Sequence, residues 1–314
     1  MARVILNRLA ATIPLLLLVT LGAFWLGELT PGDRAQVIAG DNATPEAVAL
    51  IHKELHLDDP APVRYVRWLG DVVRGDLGIE SRSHRPVIDE LKRRWPVTAS
   101  LAIASLIISL LIGIPLGVLQ GARPGTKLDK FLLGIVSIGL ATPSYFIATL
   151  LIFYFAVRWK WLPALGYVSF GDSPTGWFRH VIAPAFSLSI IGAAEIARQL
   201  RTGLVGVAQE DYIRAARARG LGPVRVMGKH ALRNAAIPAL TLVGLRIGQL
   251  LAGAVIIEQI FQFPGLGSYA LAAVQNRDFV VLQSIVLAIA LIIITVNLLV
   301  DLAYSFLNPK VRLS

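Results

Sequence analysis

Four stretches of this chain carry no charged residue over a length that spans a lipid bilayer: residues 9–26, 97–121, 131–157 and 279–300. A bilayer core is crossed by about 20 mostly apolar residues. No water reaches the backbone there, so each stretch must satisfy its own N–H and C=O groups and is predicted to be a helix. Two further blocks are less clean. Residues 181–194 are apolar but short, and they reach a spanning length only by taking in Glu195. Residues 235–257 are long enough but carry Arg246 near the centre. Counting both gives six spans. The expected fold class is an all-α integral membrane protein, with a large extracytoplasmic loop after the first helix and a long polar loop between the fourth and fifth.

Composition agrees with that reading. The chain is 55% hydrophobic and 16% charged, against about 25% charged in an ordinary soluble domain. A chain this apolar has ample surface to bury, which excludes disorder. With no cysteine, a disulfide scaffold and a thiolate metal site are excluded. Arg3 and Arg8 precede the first apolar block in the manner of a secretory signal. Its length, its Trp25 and the poor cleavage site Glu28-Leu29-Thr30-Pro31 favour a retained helix.

The formal charge of +10 could point to nucleic acid, but its distribution points to topology. With the N-terminus in the cytoplasm, the inside segments hold fifteen Lys and Arg and the short outside loops hold four. Basic residues collect on the cytoplasmic side. Both termini are therefore expected inside, and no nucleic-acid partner is expected. The expected organisation is residues 1–96 as first helix plus extracytoplasmic segment, 97–307 as a five-helix transmembrane domain, and 308–314 as a cytoplasmic tail.

In the outer segment Thr44 is a good N-cap and Pro45 suits the first helical position, with Val48, Ile51 and Leu55 on one face. His52 and His56 are four apart, but no third ligand stands in a fixed motif, so no metal site is expected. Tyr65 and Trp68 read as a packing patch.

The inner loop within residues 201–234 is too polar to span. Glu210 and Asp211 begin a helical stretch and Arg214, Arg217 and Arg219 end it, the order that suits the helix dipole. Gly220 is a natural residue just past a helix end, and Pro223 is placed to open a second short helix with Val224, Met227 and Ala231 on one face. Such a segment can dock a protein partner that approaches its small alanines, or lie on anionic lipid.

Here the sequence resembles the permease subunits of binding-protein-dependent ABC importers, in the dipeptide, oligopeptide and nickel "B" branch. The resembling residues are Tyr212-Ile213-Arg214-Ala215-Ala216-Arg217-Ala218-Arg219-Gly220-Leu221, then His230-Ala231-Leu232-Arg233-Asn234 and Pro238. The general family pattern has Glu where Arg214 stands and I-x-L-P where His230-Ala231-Leu232-Arg233 stands, departures similar to those of the peptide branch. Further similar segments are 64–69 with Gly75-Asp76-Leu77-Gly78, Thr142-Pro143-Ser144-Tyr145-Phe146, and Glu258–Gly267 with Asn276-Arg277-Asp278.

The resemblance implies that Asp211, Tyr212, Arg214, Ala215, Ala216, Arg217, Gly220 and Leu221 form a coupling helix for an ATPase. It implies an outer gate or binding-protein contact at Phe261, Phe263, Pro264, Gly265 and Gly267, preceded by Glu258. Arg246 is expected to line the path, pair with the companion permease or meet a peptide carboxylate. Glu195 is expected to pair with Arg198 one turn away. Expected partners are a second homologous permease, two ATPase subunits or a fused pair, an extracytoplasmic substrate-binding protein and membrane lipid, in a bacterial inner membrane. No cofactor is expected on this chain, with ATP and Mg on the ATPases. Residues 121–127 lack the spacing of a phosphate-binding loop, and no Ser/His/Asp or H-E-x-x-H constellation is present, so no catalytic residue is expected. The expected cargo is a short peptide, with a nickel chelate or glutathione as alternatives. An ion-coupled secondary transporter would need inverted repeats and a midplane ion site, and neither is found.

Overall fold

The computed structural model describes residues 2–28, 35–36, 43–54, 56–222 and 225–307. Among them the regular secondary structure is helical, apart from an isolated antiparallel bridge between Ile79 and Pro86. The helices are α1 (Ala2–Glu28), α2 (Pro45–Glu54), α3 (Ala61–Val73), α4 (Val87–Ala122), α5 (Lys127–Ala141), α6 (Ser144–Leu151), α7 (Pro174–Val207), α8 (Asp211–Ala218), α9 (Leu232–Phe261), α10 (Leu266–Gln275) and α11 (Phe279–Leu307). Wider π-wound turns continue α6 through Ile152–Arg158 and lead into α9 through Val226–Ala231.

Val87–Ala122, Pro174–Val207 and Phe279–Leu299 are each long and apolar enough to cross a membrane. Two helix pairs qualify only when joined across a break: Lys127–Ala141 with Ser144–Arg158, and Arg246–Phe261 with Leu266–Gln275. In α1 the apolar part, Thr12–Trp25, is shorter. The described residues thus hold three to five candidate spans where the sequence suggested six.

The single helix expected over residues 131–157 is broken, with a bend of 96° between its halves. A residue before proline is pushed out of the α region. Thr142, at φ −90° and ψ 121°, is extended just ahead of Pro143, and its hydroxyl donates back to Ile138 O at 2.7 Å. Pro115, by contrast, stays within the continuous α4. The separate short helix expected after Pro223 is also absent in that form. Residues 223 and 224 lie outside the described set, and from Val226 onward the π-wound turn passes without interruption into α9.

Two compact units divide the chain: residues 1–96 with 265–314, and residues 97–264. In the first, Phe24 of α1 packs edge-on against the Tyr65 ring at 5.4 Å and, tilted, against Trp68 at 5.9 Å, and Thr20 and Tyr65 share a hydrogen bond of 2.9 Å. Glu28 and Arg64 form an ion pair between α1 and α3. The core joins Val87 and Leu91 to Leu266, Tyr269 and Ala273 of α10 and to Val281 and Ile285 of α11. Two of the segments that carried the resemblance meet here. Asp278 accepts from Ser81 N at 2.8 Å, Asn276 accepts from Arg82 at 2.9 Å, and Ser284 donates to Leu77 O at 3.0 Å. Gly78, at φ +84°, lies against α11 so closely that a Cβ would come within 2.7 Å of Val280.

Thr44 caps α2 as expected, accepting from Ala47 N at 3.4 Å. His52 faces Asp58 at 3.5 Å, and no cluster of three possible metal ligands occurs among the described residues. Of the face assigned to α2, Leu55 lies outside the described residues, as does the Ile51 side chain.

In the second unit, α4 and α7 run backbone to backbone. A Cβ on Gly113 would lie 2.6 Å from Ala193 O, one on Gly117 2.7 Å from Ala197 O, and one on Gly121 2.7 Å from the Leu204 side chain. Ser109 adds a hydrogen bond to Ser189 O of 2.9 Å. Small residues allow this approach, which is how membrane helices gain packing contact. With 34 residues, α7 is about 50 Å long and exceeds the roughly 30 Å bilayer core, so its polar ends can project from the lipid.

Candidate functional site

The segment read as a coupling helix is built as an anchored lever. After α7 ends at Val207, Ala208 N bonds Leu204 O at 2.9 Å and Glu210 N bonds Val207 O at 3.1 Å. Glu210 then turns extended, with ψ 144°, and Asp211 opens α8. Ile213 and Ala216, three apart, are the buried residues of this helix, packed among Leu200, Leu204, Val226, Ala231 and Ala235. Asp211, Tyr212, Arg214, Ala215 and Arg217 are exposed on the other faces. Ala216 therefore faces inward and anchors the helix. The chain leaves α8 through Gly220 at φ +78°, the left-handed conformation expected of it, and half-buried Leu221 bonds back to Ala216 O at 3.3 Å.

Two polar contacts fix the exposed side. Asn234 at the start of α9 donates to the Tyr212 hydroxyl at 2.6 Å, and Arg214 donates to Gln209 O at 2.9 Å. Among the described residues neither Arg217 nor Arg219 pairs with an acidic side chain. The helix thus presents unneutralised guanidinium groups next to the small Ala215, a surface suited to an acidic, closely approaching partner.

The pairing expected between Glu195 and Arg198 does not form. Glu195 of α7 instead meets Arg246 of α9, and Arg246 is 7% exposed. These helices precede and follow α8 in the chain, so the ion pair ties the two arms from which the lever hangs. One turn gave Arg198 nearness, but the buried Arg246 has far more to gain from a counter-charge in a dry setting.

A second ion pair was not anticipated. Asp129 receives Arg201 through two bonds of 2.7 Å and also accepts from Gly125 N at 2.8 Å, while its own N–H donates to the N-cap Thr126 at 3.3 Å. The Thr126-x-x-Asp129 capping spacing was the available signal.

The residues assigned to the gate fall into two places. Glu258, Phe261, Pro264, Gly265 and Gly267 cluster at the end of α9. Arg246 lies twelve residues earlier, about 18 Å along the axis. Glu258 is fully buried and accepts from Thr98 Oγ1 at 2.6 Å. Gln262 takes the left-handed conformation at φ 54°, which lets Phe263 N reach back to Glu258 O at 2.8 Å. Phe261 and Phe263 are both buried, Phe263 ring-on-edge with Tyr167 at 5.3 Å, and Gly166 N donates to Phe261 O at 2.9 Å. These aromatics hold the turn. Gln262 and Pro264 are its exposed residues, whereas Gly265 and Gly267 are buried.

Comparison with known proteins agrees with this architecture. Residues 113–313 match the family described as "Binding-protein-dependent transport system inner membrane component", and residues 1–102 match its N-terminal component. The chain is 39% identical over 308 residues to the "Probable peptide ABC transporter permease protein y4tP" of Sinorhizobium fredii, covering 98% of each. It is 38% identical over 336 residues to the "Dipeptide transport system permease protein DppB" of Escherichia coli K12, covering 99% of each. Its fold resembles the inward-facing MetNI methionine ABC transporter, with a TM-score of 0.57 at 20% identity over 69% of this chain and 96% of the other. The chain belongs to the family of inner-membrane permease components of binding-protein-dependent transport systems.

Proposed function

We propose that this protein is the membrane-spanning subunit of an ATP-driven importer that moves short peptides into the cytoplasm. The observation that carries this reading is α8: an exposed polar helix, rooted by Ile213 and Ala216 and flanked by two long helices that the Glu195–Arg246 pair joins. The relatives named as peptide and dipeptide permeases support the cargo.

In this reading the chain crosses the inner membrane six times, through α1, α4, the broken α5–α6, α7, α9 and α11, with both termini in the cytoplasm. It pairs with a second homologous permease. Two ATPase subunits, or a fused pair, bind ATP and Mg and grip α8 through Asp211, Tyr212, Arg214, Ala215, Arg217 and Gly220. A substrate-binding protein delivers peptide from outside. Glu258, Phe261, Pro264, Gly265 and Gly267 shape the outer gate, and Arg246 holds the lever arms together. The ATPases act through their differential affinity for two arrangements of these helices, since a bound nucleotide shifts an equilibrium only by that difference. The chain itself performs no chemistry.

Uptake of a labelled dipeptide into proteoliposomes containing the assembled complex tests this. Uptake should require ATP and the binding protein and cease on deletion of residues 212–220. Uptake driven by an ion gradient alone would overturn it. Uptake of a nickel chelate or glutathione but not peptide would overturn the cargo.

A further inference from the structure

A cavity of about 240 Å³ lies within the unit formed by residues 1–96 and 265–314. Its walls come from the end of α1, from α3, from the turn at Gly78 and from the start of α11. Phe24, Trp68 and Phe279 make it aromatic on one side. The polar part of the wall holds two buried donors that have no partner among the described residues. Gln283 is 6% exposed, and its Nε2 has no partner among the described residues. Arg64 commits its Nη2 to Glu28, but its buried Nε donates to nothing among the described residues. Arg277, exposed, also lines the cavity.

Two acidic side chains share the wall, each with a local contact. Asp76 accepts from Gly78 N at 2.9 Å, and Asp71 faces Arg74 at 3.8 Å. Buried donors are normally paired, so the unfilled capacity calls for a ligand that brings anionic oxygens. The setting indicates its source. α1 and α11 are apolar helices, and the cavity sits where one ends and the other begins. Leu18, Leu21 and Trp25 are exposed at helical spacing on α1, the helix whose Phe24 lines the cavity. That is an acyl-chain track with an interfacial Trp at its end.

We propose that this cavity binds the phosphate headgroup of a phospholipid, with Gln283, Arg64 and Arg277 as donors and the acyl chain along Leu18 and Leu21. The proposal rests on α1 and α11 crossing the bilayer. It does not depend on the cargo, and its readout is lipid contact rather than uptake.

The full-length protein in nanodiscs doped with phosphatidylglycerol carrying a photoreactive group near the phosphate provides the test, with labelled peptides mapped by mass spectrometry. Labelling should concentrate in residues 64–78 and 277–283. Gln283→Leu keeps the side chain's bulk and should weaken that labelling about tenfold, as loss of one bond to a charged group implies. Arg277→Gln, at an exposed position, should weaken it severalfold and carries the test if the buried variant does not fold. Labelling spread evenly over the apolar helices, or unchanged in both variants, overturns the proposal. Competition by millimolar inorganic phosphate assigns the cavity to a free anion, and competition by a dipeptide assigns it to cargo; either outcome also overturns it.

Discussion

Arg246 meets Glu195 across two helices whose ends carry α8, and the pair replaces the expected contact of Glu195 with Arg198. Removing Arg246 leaves Glu195, 27% exposed, without its counter-charge, at a cost of up to about 3 kcal/mol, the lower end for a fully buried pair. Arg246→Ala should therefore lower the thermal midpoint of the detergent-solubilised chain markedly. The double variant Arg246→Met with Glu195→Leu should recover most of that loss. If the pair transmits force between the arms, uptake per ATP hydrolysed should stay depressed in the stable double variant. Equal depression of the midpoint in single and double variants would remove the pairing from the argument.

Ile213 is fully buried among Leu200, Leu204 and their neighbours. Ile213→Ala should cost about 2–5 kcal/mol locally and loosen α8 without affecting insertion. Faster hydrogen exchange confined to residues 211–219 is the expected readout. A charge reversal on the free surface, Arg217→Glu, should leave exchange unchanged and weaken ATPase association in pull-downs. Intact association would place the grip elsewhere on the helix.

Asp129 binds Arg201 twice and also caps the start of α5. Asp129→Asn removes a charge-assisted pair, and bonds to charged groups contribute about 1.5–3 kcal/mol each. A lowered thermal midpoint is expected, with Asp129→Glu restoring little because the capping geometry is lost.

Gln262 holds a left-handed conformation at φ 54° where glycine is the usual choice. A non-glycine residue there carries a penalty of about 1 kcal/mol. Gln262→Gly should be neutral or mildly stabilising, and Gln262→Pro should disrupt the turn. A large loss of stability in the glycine variant would mean the side chain matters more than the backbone.

The apolar blocks at residues 97–121 and 279–300 were legible because lipid-spanning helices must be continuous and apolar. α7 was under-read. Glu195, Arg198 and Arg201 look like the end of a span, yet the helix continues to Val207 because two of the three find partners on other helices. Such partners have no signature in local spacing. The break at Pro143 was legible in chemistry but was outweighed by an uninterrupted apolar run. In the coupling segment, Gly220 and the charge order read correctly. Which alanine faced inward depended on neighbours ten or more residues away, Leu204 and Val226 among them. Phe261 and Phe263 read as parts of an outer gate or contact surface, not as buried side chains. Their burial follows from the hydrogen bond between Gly166 and Phe261 and the ring contact of Tyr167 with Phe263, which no reading of residues 258–267 alone could supply.

The glycine ladder of Gly113, Gly117 and Gly121 sets a rule for motion as well as for packing. Where no room exists for a methyl group between α4 and α7, neither helix can slide lengthwise without driving a side chain into a carbonyl of the other. A displacement delivered to the C-terminal end of α7 is therefore inherited by α4 as a rigid translation or tilt. Any change of shape within this unit is then left to the break already present at Pro143 rather than to this seam.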